Sequence, residues 1–198
     1  MFSKTQVKIM ELFTSKITGI FSIKEVSELT KKPYPLIHRS IKDLVVKKFI
    51  LKDSRSFLSL NYKANYSSLA YIESIRCEEF LKRNKAIALF VNDSIERMGL
   101  GYFTLLLFGS SVQKGEKARD VDILLIVPHN EDVSQAEKLL NNISSNFTVP
   151  IHCNVISTDS VREMLAKRDE VNVMNETLDN HILFFGAENY YELLKNAR

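Results

Sequence analysis

With 198 residues, 45% of them apolar, the chain is long enough for one large or two small globular domains, and none of its apolar runs reaches the roughly 18 residues of a membrane span. The start MFSKTQVKIMELF lacks the cleavage pattern of a secretory signal, and Cys77 and Cys153 show no paired spacing, so a cytoplasmic protein without a disulfide framework or structural zinc is expected. The net charge of +3 hides an asymmetry: residues 1–62 carry 12 Lys and Arg against 5 Asp and Glu, while the remainder carries 15 against 19, as for a basic module that meets a polyanion followed by one with different chemistry.

TQVKIMELFTSK places Val7, Ile9, Met10, Leu12 and Phe13 at helical spacings, and GIF then breaks the pattern. Ser22, with Glu25 three positions on, forms a capping box that opens a second helix. A third opens at Pro33 or Pro35, after which Ile37, Ile41, Leu44 and Val45 recur at intervals of three and four. FILKD and SFLSLNY flank the turn DSRS and read as a hairpin. Three helices and a hairpin in so basic a stretch resemble the winged helix-turn-helix domains of transcription regulators. The resemblance implies a third helix in the major groove of duplex DNA and a hairpin, the wing, along the backbone or minor groove. It puts Tyr34, His38, Arg39 and Lys42 on the groove face, Lys31 and Lys32 at the helix entrance, and Lys52 and Arg55 on the wing. The lysines would neutralise phosphates, while Arg39 or His38 would read base edges.

From Asn65 to Met98 there is no proline or glycine, and Leu69, Ile72, Ile75, Phe80, Ile87, Phe90, Val91, Ile95 and Met98 form a partly periodic apolar face. One long helix or two abutting ones are expected, ended by Gly99 and Gly101. The stripe packs either on the following domain or against a second copy in a homodimer.

YFTLLLFGSS reads as a buried strand running into Gly109, and VDILLIVP as another that stops at Pro128. Alternation along that strand puts Asp120 and Asp122 on one side, with Val121 and Ile123 in the packing. Two carboxylates on one face repel each other unless a hard divalent cation lies between them and a phosphate-bearing ligand. A glycine followed by small hydroxyl residues lets backbone N–H groups and the Ser110 hydroxyl approach phosphate oxygens.

FGSS, the loop VQKGEKAR and DVDILLIV resemble the signature of the DNA polymerase β-like nucleotidyltransferase superfamily, most closely its minimal nucleotidyltransferase branch. The resemblance implies a mixed sheet with helices, Mg²⁺ or Mn²⁺ held by Asp120 and Asp122, and a nucleoside triphosphate anchored at Gly109, Ser110 and Ser111. Gly115 matches the glycine found midway through the family's loop, whereas Arg119 stands where many relatives have serine. The match extends to the tail HILFFGAENYYELL, an apolar run, a glycine and a short aromatic helix. The third catalytic carboxylate should come from VPIHCNVIS, where His152 occupies its place and Asn154 is the next possibility; neither is an acid. An imidazole suits Mg²⁺ poorly, and a histidine bonded to backbone at a strand end accounts for His152 equally well.

The expected architecture is therefore mixed α/β (α+β): a winged helix-turn-helix domain over residues 1–62, a helical connector over 63–99, and a nucleotidyltransferase-fold domain with a mixed sheet over 100–198. The expected function is a DNA-binding transcription regulator whose second domain binds NTP and Mg²⁺. Two readings of that domain stay open. Either it transfers a nucleoside monophosphate to a hydroxyl of a protein, nucleic acid or small molecule, as antitoxin-like members of the branch imply for a protein partner. Or, without the third acid, it senses a nucleotide or mediates assembly.

Overall fold

The structure is a computed structural model that describes residues 2–167, 170 and 172–197. The first module begins with α1 (Lys4–Ser15), opened by a reciprocal Ser3–Gln6 capping box. Its buried face carries Ile9, Met10 and Phe13. The expected Ser22 box opens α2 (Ile23–Thr30): Glu25 N donates to Ser22 Oγ at 3.2 Å and Ser22 N to Glu25 Oε2 at 2.7 Å. Pro33 caps α3 (Tyr34–Val46) and Pro35 lies in its first turn, where a missing N–H costs no helical bond. The hairpin is β2 (Ile50–Lys52) and β3 (Leu58–Leu60), and its turn is organised by Asp53, whose Oδ1 accepts from Arg55 N and Phe57 N. GIF does more than interrupt a helix. Ile20–Phe21 forms a two-residue strand, β1, on the other edge of β3, giving the order β1-β3-β2.

The connector is two helices, α4 (Tyr66–Arg83) and α5 (Lys85–Arg97), broken at Asn84 with φ −129° and ψ 80°. Asn84 Nδ2 donates to the Phe80 carbonyl at 2.8 Å, its Oδ1 accepts from Glu116 N at 3.0 Å, and Glu116 Oε1 accepts from Ala86 N at 2.6 Å. The break is thus sealed by the loop between Gly109 and Asp120. Gly115 makes this possible: its φ is +55°, and a Cβ there would lie 1.9 Å from Asn84 Oδ1.

The remaining elements are β4 (Thr104–Phe108), α6 (Ser111–Lys114), a 3-10 turn (Gly115–Lys117), β5 (Val121–Val127), α7 (Asn130–Ser144), β6 (Ile151–Ser157), α8 (Thr158–Ala166), α9 (Val173–Thr177), β7 (His181–Phe185) and α10 (Ala187–Ala197). Ten α-helices and two sheets are thus present among the described residues. The larger sheet has the order β6-β5-β4-β7; β5 and β6 are parallel, and β4 is antiparallel to both its neighbours, so the sheet is mixed as expected. One face carries Leu105, Leu107, Ile123 and Leu125 into a cluster with Ile87, Phe90 and Leu140 from α5 and α7. The other carries Leu106, Phe108, Leu124 and Leu183 into a cluster that includes Tyr190 and Leu194, Leu69 and Ile72 of α4, and Ile9, Phe13, Ile37 and Leu44 of the first module. The connector's stripe therefore packs within the chain, and one apolar core runs across residue 62. Polar links reinforce it: Ile17 N donates to the Leu178 carbonyl at 2.9 Å, and Thr18 donates to Asp179 through both its N–H and its hydroxyl. No helix among the described residues is long and apolar enough to cross a membrane.

A charged cluster lies inside this core. Glu73 of α4, only 1% exposed, receives Arg76 Nη1 at 2.5 Å and the Tyr191 hydroxyl at 2.7 Å, while Arg76 Nη2 donates to the His181 carbonyl at 2.6 Å. The His181 ring nitrogens lie 3.4 Å from Glu73 Oε1 and 2.5 Å from the Thr177 carbonyl. Burial pushes the Glu73 carboxyl up, but Arg76, His181 and Tyr191 together outweigh it and hold the group below the usual carboxylate range. Its contribution to stability is accordingly present above that range and fades as the pH falls through and below it. Arg76→Met leaves the carboxylate buried without its cation and should cost about 3–5 kcal/mol in denaturant unfolding, whereas adding Glu73→Met should recover much of the loss.

Candidate functional site

All five residues of β4 are buried, so the strand carries its last residue, Phe108, to a turn whose position is fixed by the core. Gly109 makes that turn with φ +71°, a conformation that favours glycine. Ser111 is buried and its Oγ donates to the Phe108 carbonyl at 3.0 Å, so it holds the turn, while Ser110 is presented to solvent. Asn180 Nδ2 donates to the Gly109 carbonyl at 2.8 Å and clamps the turn from the β7 side.

Asp122 lies inside β5 as expected, in register with Phe108 on one side and His152 on the other. Asp120 differs from expectation: β5 begins at Val121, and Asp120 sits in the bend before it. The reason is that its neighbours have run out. On one side β4 ends at Phe108; on the other the chain before Ile151 is Pro150, whose carbonyl takes the Val121 N–H and which has no N–H of its own to offer Asp120. The two carboxylates still act on each other. Burial, then repulsion from Asp120, raises the Asp122 carboxyl above its ordinary range, and His152 partly offsets this. His152 and Asn154 are both exposed on edge strand β6.

The missing Cβ of Gly109 creates a cradle. A Cβ there would stand 2.9 Å from Asp122 Oδ2 and 3.7 Å from Glu176 Oε1, so two carboxylates converge on the same small space. Glu176 was not anticipated from the sequence. It lies on the short helix α9, far along the chain from Asp122, and no periodicity marks it. Among the described residues no group of three or more His, Cys, Asp or Glu is arranged to hold a metal ion. Asp120 and Asp122 are hard oxygen donors that fit Mg²⁺ or Mn²⁺ only if phosphate and water oxygens complete the shell. The site is a shelf at the end of the sheet. Of five surface cavities of about 330 to 680 Å³, none has Gly109, Ser110, Asp120, Asp122 or His152 in its wall.

In the first module Tyr34, His38, Arg39 and Lys42 are exposed along α3, and Tyr34 stacks on His38 with ring centroids 6.1 Å apart. Lys31, the left-handed C-cap of α2, and Lys32 are exposed just before α3; Lys52 and Arg55 are exposed on the hairpin. Arg55 lies over the Phe57 ring at 5.7 Å and 3.7 Å from Asp53. Within the described residues no ion pair engages Lys31, Lys32, Arg39, Lys42 or Lys52, which leaves a solvent-facing basic surface. The cysteines are free thiols: burial and then Glu73 push Cys77 up to about 11, and burial pushes Cys153 up to about 12, so neither is a ready nucleophile.

No family model, curated protein or solved structure matches this chain.

The raised Asp122 carboxyl has a consequence for stability. A raised folded-state value means that the neutral form is favoured by the fold, so the ionised carboxylate weakens the fold as the pH rises through that value. Asp122→Asn should therefore raise the melting temperature near neutral pH, and the gain should shrink to nothing as the pH falls below the carboxylate range. A melting temperature that drops at every pH would mean that Asp122 has a stabilising partner within the chain.

Proposed function

We propose that the chain is a cytoplasmic DNA-binding regulator in which residues 1–62 act as a winged helix-turn-helix domain and residues 100–198 as a nucleotidyltransferase-fold domain that binds a metal–nucleoside triphosphate. The observation that carries the nucleotide reading is the cradle at Gly109 beside Asp122: an apolar strand, a glycine with no room for a side chain, and a carboxylate whose charged form burial and Asp120 disfavour meet where FGSS and DVD come together. A divalent cation bound there would neutralise the two aspartates and polarise the phosphates. Asp120 and Asp122 hold it, Ser110 is free to donate to phosphate, and Ser111 and Asn180 keep the turn in shape. The DNA reading is supported by Lys31, Lys32, Arg39 and Lys42, exposed on and around α3 and without an ion-pair partner among the described residues.

Transfer of a nucleoside monophosphate is the second reading, and Glu176 at the cradle is the observation that favours it. Incubation with labelled NTP, divalent metal and cell extract tests it directly; label transfer lost on Asp122→Ala supports it, and its absence leaves nucleotide sensing.

Nucleotide binding should appear as metal-dependent thermal stabilisation. At 100 times the dissociation constant, NTP with Mg²⁺ should add about 2.7 kcal/mol, or several degrees of melting temperature, and combined Asp120→Asn and Asp122→Asn should abolish the shift while the protein stays folded. A melting curve indifferent to every NTP with Mg²⁺ or Mn²⁺ would remove this reading.

The full chain should bind duplex DNA with steep salt dependence, since phosphate contacts release counterions. Lys31→Ala with Lys32→Ala should weaken binding to all sequences alike, whereas Arg39→Ala should also relax sequence preference. Fluorescence anisotropy that shows no binding at low salt, or binding insensitive to salt, would overturn the assignment.

A further inference from the structure

A cavity of about 630 Å³ lies between α1, α4 and the loop over residues 112–117, on ground that neither the shelf nor the α3 surface uses. Its size is that of a site for a small organic ligand, for which about 300–1,000 Å³ is usual. Seven charged residues stand in its wall, and their pairing within the chain is uneven. Arg76 is buried and engaged with Glu73 and the His181 carbonyl. Glu116 caps Ala86 N, and Glu79 lies 3.6 Å from Lys8. Arg83, Lys114 and Lys117 are exposed and have no ion-pair partner among the described residues, although all three face the same cavity.

Glu11 of α1 stands in the same wall. Its Oε2 receives Lys8 Nζ at 2.6 Å, but its Oε1 is buried and finds no donor among the described residues. A buried acceptor left unsatisfied costs the full desolvation of that atom, the more so when it is charged, so the position calls for a donor from elsewhere. Phe80, Val112 and Ile182 supply the apolar part of the wall. A ligand that carries both an anionic group and a hydroxyl or amine donor answers the cations and the acceptor together.

We propose that this cavity binds a phosphorylated small molecule of sugar-phosphate to nucleotide size, its phosphate taken by Arg83, Lys114 and Lys117 and its hydroxyl or amine donating to Glu11. Phosphate without a donor group answers only the cations, and a divalent cation has no role because the contacts to phosphate are made by side-chain cations. A bound molecule would touch both α1 of the basic module and the loop that joins Gly109 to Asp120.

The test uses the full chain in excess EDTA, with adenosine 5′-monophosphate, ribose 5-phosphate and inorganic phosphate as probes in calorimetry. The expected result is binding of adenosine 5′-monophosphate or ribose 5-phosphate that weakens about tenfold or more with Lys114→Ala and Lys117→Ala, weakens similarly with Glu11→Gln, and is unchanged by Asp120→Asn with Asp122→Asn. That last variant separates this cavity from the shelf, so failure of one reading does not carry the other with it. The proposal is overturned if neither organic phosphate binds, if inorganic phosphate binds as tightly as they do, or if binding survives the loss of both lysines. Glu11→Gln melting like wild type keeps a loss of binding from being a loss of fold.

Discussion

A carboxylate that cannot reach water organises this molecule. Glu73 is held inside the core by Arg76, Tyr191 and His181, and each of those partners belongs to a piece of chain that must be placed correctly. Apolar contacts resist separation but tolerate sliding, because they are not directional. A buried charge with three directed partners does not tolerate it, and a mismatch leaves a charge unpaired in low dielectric. The register of α4 against β7 and α10 is fixed in this way. His181 is in turn the ladder partner of Phe108, and Phe108 that of Asp122, so the position of the shelf follows from the same cluster through two steps of backbone pairing.

The short stretch from Glu176 to His181 joins these parts. Glu176 reaches the Gly109 cradle, Thr177 bonds Tyr190 and faces His181, Leu178 and Asp179 hold the corner after α1, and Asn180 clamps Gly109. Six consecutive residues thus touch the shelf, the buried cluster and the basic module. None of these contacts is strong alone, yet they share one backbone, so a displacement at one is felt at the others.

Much of this was legible in the chain because local rules and the global fold agree. The Ser22–Glu25 box, the prolines opening α3, the DSRS turn and the apolar runs of β4 and β5 each have a short-range cause, and each appears where that cause puts it. The features that the sequence hides depend on residues distant in sequence. A two-residue strand such as β1 has no alternation to detect. Asp120 lies outside β5 because Pro150 and the end of β4 deny it partners, which one segment cannot reveal. Glu73 and Arg76 look like an ordinary helical i,i+3 pair, and only the packing of α10 and β7 shows that they are buried. Glu176 reads as one more acid until the fold brings it to Gly109.

The apolar core that runs across residue 62 also bears on how such a chain can change over evolutionary time. The exposed residues of α3, Tyr34, His38, Arg39 and Lys42, can be exchanged without disturbing the core. Replacing the whole module is a different matter, since Ile9, Phe13 and Leu44 belong to the same cluster as Leu69, Leu106 and Leu194. A transplanted module would have to bring a matching apolar face and the Thr18 corner with it. The exposed surface of α3 in this architecture can drift residue by residue, while its two halves are inherited together.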